Sequence, residues 1–402
     1  MLTTFTRFAL AAPFLCLSSA TAPTVETRSE APLLIEVTAE VNLNFEAGEH
    51  AQAFQVQVPT AGRYRAEIHY TAPKGSHLWL EDYVGNKDGR TYDITGPIDA
   101  PASETKTMIY RDGSPLNEGP HSMLVHASGE GCVVHTVRFE LMRAHQMTPR
   151  SLTQNTKGDK WSLVWADEFD GRGLPDQSKW THDLGNWGWG NREPQYYTEG
   201  RVENARQEGG KLIIEARPDD QGQPWTSARL TTRGKISFLY GRIEIRAKVP
   251  AVDGTWAAGW TLGDGYRDEV SWPYCGEIDI CEGVGREIDD ETGDGINHAS
   301  CHTRAFYFKQ GNHISKQMRV EKMSEAFHDY VCEWDETGVR MYLDGEHYYT
   351  YDKTSNQLEW PFNKPQNLIL NLAMGGGMGG AIAPDAEAQR FEVDFVRVFE
   401  KR

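Results

Sequence analysis

The sequence predicts an all-β protein built from two β-sandwich domains. Three observations carry that expectation. Apolar and polar residues alternate in short runs, such as Phe54, Val56 and Val58 against Gln55 and Gln57. Gly, Pro, Asp and Asn punctuate those runs. Sustained helical periodicity is scarce. Such a pattern specifies antiparallel strands with one face buried. The chain of 402 residues exceeds one typical domain.

Taken in order, residues 1–22 read as a secretory leader. Arg7 supplies the positive charge, Phe8 to Leu17 the apolar stretch, and Ser18 to Ala22 the small residues for cleavage. The apolar stretch is too short to span a bilayer. Cys16 is a less favoured lipid-anchor site, because the bulky Leu15 precedes it. No other stretch reads as a membrane span, so the expected location is secreted or periplasmic. The first sandwich is expected over 32–143. In it Tyr64, Ala66, Ile68 and Tyr70 alternate with polar neighbours. Residues 144–159 are polar, contain Pro149 and read as a linker. The second sandwich is expected over 160–402. It holds the alternation of Ile243 and Ile245 with Glu244 and Arg246. In its last run Val393 and Phe395 share one face, while Val396 and Val398 take the other.

The net charge is −17, which disfavours nucleic acid and anionic membrane surfaces as partners. Twelve tryptophans among 11% aromatic residues suit a cleft that stacks flat rings on sugars, although core packing is the better reading for any single one. Past the leader, Cys132, Cys275, Cys281, Cys301 and Cys332 show no C-x-x-C pair, so a zinc site is not expected. Export permits disulfides, buried free thiols are an equal reading, and connectivity does not follow from spacing.

The most informative segment is Cys275-Gly-Glu-Ile-Asp-Ile-Cys-Glu-Gly283. On a strand Glu277 and Asp279 share a face, and Ile278 and Ile280 take the other. Alternation alone would misplace Glu282; one bulged residue near Cys281 returns it to the acidic face. Crowded carboxyls raise one another's pKa, as acid–base chemistry requires. A solvated acidic face and a calcium site are the plainer alternatives.

Glu277-Ile-Asp-Ile-Cys-Glu282 resembles the E-x-D-x-x-E signature of glycoside hydrolase family 16, in the laminarinase-like spacing. The resemblance extends over most of 160–402: WSLVWADEFD at 161–170, GNWGWGNREPQYYT at 185–198, the stretch 227–248, TWAAGWTL at 255–262, 360–380 and FEVDFVRVF at 391–399. It implies a β-jelly roll with an open cleft and a retaining mechanism. Glu277 would be the nucleophile, Glu282 the acid/base, and Asp279 the group that holds Glu277. It further implies sugar contacts from Asn191, Arg229, Trp256, Trp260, Trp272 and His302; structural roles remain the alternative for each. No cofactor is implied for catalysis. A structural calcium is implied on Asp394, with Glu168 a weaker ligand.

The departures bear on subsites. Gly259 replaces a bulky cleft neighbour, and Gly376-Gly-Met-Gly-Gly380 lacks an aromatic. The first block resembles family 6 carbohydrate-binding modules faintly, through Pro59-Thr-Ala-Gly-Arg-Tyr64; Trp79, Tyr83, Tyr92 and Tyr110 are sugar platforms or core, and a purely structural or dimerising sandwich is the other reading. The expected activity is a secreted, monomeric endo-β-1,3-glucan hydrolase. An agarase- or porphyranase-like galactanase and a catalytically inactive glucan-binding protein are the alternatives.

Overall fold

Two stacked pairs of sheets make up the computed structural model, which describes residues 36–45, 49–86 and 89–402. The leader expected at 1–22, with Cys16, lies outside the described residues. In the first pair, a four-stranded sheet runs Glu36–Phe45, Cys132–Ala144, Gly62–Ala72, Ser103–Leu116. A five-stranded sheet faces it, built on Glu49–Val58, Gly119–Ser128 and Ser76–Asp82. Alternation does the folding: in Gly62–Ala72 the buried Tyr64, Ala66, Ile68 and Tyr70 meet Val125, Val137 and Phe139 in one core.

The second pair holds a nine-stranded sheet, ordered Ser151–Thr153, Ser237–Leu239, Gln366–Met374, Thr255–Gly263, Glu277–Val284, Gly295–His302, Ile314–Val320 along its main path. A ten-stranded sheet backs it through Leu212–Asp220, Gln389–Lys401, Gly241–Lys248 and His328–Trp334. The apolar layer between them includes Ile243, Ile245, Ile278 and Leu370. Ile245 is fully buried, so Ile245→Ala is expected to cost about 2–5 kcal/mol.

Two details differ from simple alternation. Strand Gly241–Lys248 pairs Arg246 with Phe395 and Ala247 with Val393, leaving Asp394 as an extra residue. That bulge turns Val396 and Val398 onto the same buried face as Val393, rather than the opposite one. Phe395 is left half-buried with the Arg397 guanidinium 3.6 Å from its ring centroid. The segment expected as a linker contains Ser151–Thr153, which pairs in parallel with Ser237–Leu239.

Residues 35–402 form one compact unit, and the two sandwiches meet closely within it. Asp112 N–H donates to Asn186 Oδ1 at 3.0 Å, and Asn186 N–H donates to the Asp112 carbonyl at 2.9 Å. Gly113 has φ +89°, and a Cβ there would lie 2.2 Å from the Leu184 carbonyl oxygen, so no side chain fits the contact. Of the aromatic residues considered as platforms, Tyr83 donates to Asp268 at 2.5 Å, Tyr92 is buried, and Trp79 stacks on His126 at 4.6 Å. Tyr110 is 40% exposed beneath Arg65. No described helix is long and apolar enough to cross a membrane.

Candidate active site

Strand Glu277–Val284 lies between Thr255–Gly263 and Gly295–His302. Gly259 faces Cys281, but Trp260 faces Asp279, so the strand carries one extra residue at Ile280. The bulge is one position before the place expected from the sequence. Its consequence is the expected one: Glu277, Asp279 and Glu282 all line the cleft, while Ile278, Ile280 and Cys281 enter the core. Asn297, fully buried, secures the bulge. Its Oδ1 accepts from the Glu282 N–H at 2.9 Å, and its Nδ2 donates to the Ile280 carbonyl at 3.3 Å and to Tyr348 OH at 2.8 Å. Sequence reasoning missed this residue; the available signal was an Asn inside a strand flanked by Ile296 and His298.

Each glutamate has its own indole. Trp272 Nε1 donates to Glu277 Oε2 and Trp256 Nε1 donates to Glu282 Oε1, both at 3.0 Å. His302 Nε2 stands 3.4 Å from Asp279 Oδ2 and 3.7 Å from Glu277 Oε1. Burial is the largest influence on all three carboxyls and raises each one. Burial and the Glu282 charge raise Glu277, and the Trp272 bond and Arg229 oppose the rise. Burial raises Glu282 as well, held back by the His298 charge and the Trp256 bond. Asp279 is pushed well above its usual range by burial and by both glutamates. The three share one strand face and titrate together, so the neutral-pH site keeps protons on some carboxyls while another is charged. Burial lowers His302 to about 3, so its ring is neutral.

The cleft, about 370 Å³, is lined by every residue expected to touch sugar: Asn191, Arg229, Trp256, Trp260, Trp272 and His302. Trp260 Nε1 donates to Asn371 Oδ1 at 2.7 Å. Arg229 lies between two rings, 4.9 Å from the Trp189 centroid and 4.7 Å from that of Trp260, and its Nε donates to Asp183 at 2.9 Å. Asn191 Nδ2 donates to the buried Glu193 at 3.1 Å. Trp187, Trp189, Glu269 and Lys309 also line the cleft and were not singled out in the sequence. Met378 and Gly377 occupy the place where an aromatic was missing. Gly259 is a correction. It is no cleft neighbour: a Cβ there would lie 2.9 Å from Ile245 Cδ1, so it faces the core opposite Cys281.

Donor atoms of Glu277, Asp279 and His302 lie within 4.8 Å of one another and form an acid/histidine group able to hold a metal ion. Asp394 and Glu168 lie elsewhere, on or beside the ten-stranded sheet. Arg246 Nε sits 3.2 Å from Asp394, and Arg397 grips Glu168 with two bonds of 2.7 and 2.8 Å. All five cysteines past the leader are buried and unpaired.

Residues 191–397 match the family described as Glycosyl hydrolases family 16. A β-glucanase of Rhodothermus marinus is 44% identical over 256 residues, covering 61% of this chain and 87% of that enzyme. The X-ray structure of the laminarinase from the same organism superposes with a TM-score of 0.56 at 43% identity, over 60% of this chain and 98% of that one. The laminarinase catalytic domain from Thermotoga maritima gives 0.54 at 39% identity, over 61% of this chain and all of that one. A bulged strand with three raised carboxyls, a Trp-lined cleft and these matches agree: the chain belongs to glycosyl hydrolase family 16.

Proposed function

We propose that this protein is an exported endo-β-1,3-glucan hydrolase that works by double displacement. The observation that carries the reading is the Ile280 bulge, which places Glu277 and Glu282 on one strand face, each hydrogen-bonded by its own tryptophan. In the first step the Glu277 carboxylate attacks the anomeric carbon. The bond to the leaving oxygen breaks as the Glu282 carboxyl gives that oxygen its proton, leaving a glycosyl ester on Glu277. In the second step Glu282, now ionised, takes a proton from water while the water oxygen displaces Glu277. Two inversions give net retention. Asp279, protonated beside Glu277, adds no second negative charge next to the nucleophile.

The relatives named as laminarinases support β-1,3-glucan as substrate, and Trp256, Trp260 and Trp272 supply apolar faces for pyranose rings. Export rests on the 1–22 leader, with a mature start near Thr21 or Pro23. A structural calcium at Asp394 or Glu168 has to displace Arg246 or Arg397 from the carboxylate.

The test is a screen of laminarin, lichenan, agarose and carrageenan, with product sizing and the anomer of fresh product read by NMR. Laminarin cut internally to β-anomeric oligosaccharides is the expected result. Cleavage of agarose alone would instead make the protein a galactanase. Laminarin binding without cleavage would make it a glucan-binding protein.

A further inference from the structure

The first sandwich touches rings that line the cleft. Arg63, at the start of strand Gly62–Ala72, places its guanidinium 5.4 Å from the Trp189 ring centroid, 5.8 Å from Trp187 and 5.7 Å from Tyr266. All three rings line the cleft. Arg229 lies 4.9 Å from the same Trp189 centroid and 4.7 Å from that of Trp260. Contacts therefore link the first sandwich to the cleft: Arg63 with Trp189, Trp189 with Arg229, and Arg229 with Trp260.

Two features make these contacts depend on the neighbouring domain. Trp189 has φ +54°, a left-handed conformation that a bulky residue keeps only where its surroundings hold it. Its indole Nε1 donates to the Gly185 carbonyl at 3.1 Å, and Gly185 is itself pressed against the first sandwich, where a Cβ would lie 2.1 Å from the Asp112 carbonyl oxygen. The loop bearing Trp187 and Trp189 is thus held at its backbone by Asp112 and Gly113 and at its rings by Arg63. Burial works to raise the half-buried Asp183, but four cations, Arg229, Arg63, Arg233 and Arg143, hold its carboxyl low.

We propose that Arg63 is a positioning residue for the sugar platform, so that the first sandwich is a working part of the cleft wall instead of an independent binding module. The inference rests on the polysaccharide-hydrolase reading above. Arg63 contacts rings and none of the reacting carboxyls, so its effect falls on binding of the chain.

The experiment uses the full chain. Arg63→Ala is compared with Arg63→Lys and wild type on laminari-oligosaccharides of increasing length, with folding checked by thermal melting. Arg63→Ala is expected to raise KM for long substrates about five- to tenfold while kcat stays within about twofold, and Arg63→Lys, keeping the cation, to restore most of the binding. An unchanged KM in folded Arg63→Ala overturns the proposal. So does a uniform loss of kcat at every chain length, or a lysine variant no better than alanine. If Arg63→Ala does not fold, Arg63→Gln takes its place under the same criteria. Wild-type cleavage of laminarin tests the functional reading separately. Should wild type cut another polysaccharide of the screen, the same comparison on its oligosaccharides still decides the role of Arg63.

Discussion

The Trp256 indole hydrogen-bonds the Glu282 carboxyl at 3.0 Å. A residue whose position suggested sugar stacking therefore also touches the proposed proton donor. The bond favours the ionised form of Glu282 and works against the burial that raises its pKa.

Trp256→Phe removes the donor and keeps an aromatic face. Glu282 then loses part of what stabilises its charge, and its pKa rises further. Glycosylation needs Glu282 protonated, so the basic limb of the kcat/KM profile is expected to move up by roughly 0.5–1 pH unit. A basic limb that stays in place or moves down would separate Trp256 from proton transfer.

The two glutamates are distinguished by azide. Glu282→Ala is expected to lower kcat on laminarin by about 10²–10⁴-fold at each proton-transfer step. A dinitrophenyl glycoside needs no proton to leave, so it still glycosylates Glu277. Added azide then restores turnover and gives a β-glycosyl azide. Glu277→Gln is expected to lose at least about 10⁴-fold in kcat with no β-azide formed. An α-azide from Glu282→Ala would show that the roles are reversed.

Asp279→Asn trades catalytic tuning for stability. The folded pKa of Asp279 lies above its unfolded value because of burial and its acidic neighbours. Below the unfolded pKa of about 3.9 both states are protonated and nothing is lost. As pH rises past that value the unfolded chain ionises while the native site resists, so stability falls. Asn removes this penalty. We expect a Tm gain on the order of 2–4 °C at pH 7 that disappears by about pH 4, with lower activity at both. A variant that melts below wild type at pH 7 would refute the electrostatic account.

Chelation tests the arginine-held carboxylates. With Asp394 beside Arg246 and Glu168 gripped by Arg397, treatment with EDTA is expected to shift Tm by less than about 2 °C, equivalent to under ~1 kcal/mol in a chain of this size. A larger fall, reversed by added calcium, would mean that an ion displaces one of these guanidinium groups.

The sequence by itself determined the strand alternation, the all-β class, the acidic array and the tryptophans available to a cleft. Those properties are local: period two assigns a face to each side chain, and Glu277, Asp279 and Glu282 lie within six residues. It also required a bulge, because Glu282 is out of phase with the other two acids. Tertiary structure alone decided where the extra residue sits, since the register is set against Thr255–Gly263 and by the Asn297 side chain from the neighbouring strand. The same holds for Asp394, whose bulge brings Val396 and Val398 onto the buried face, and for Gly259, whose direction depends on where Ile245 of the opposite sheet lies. The contacts that link Arg63, Trp189, Arg229 and Trp260 join residues nearly 200 positions apart and two sandwiches. No local pattern encodes them, because a cation–π contact depends on ring and guanidinium meeting in space and leaves no periodic trace along the chain.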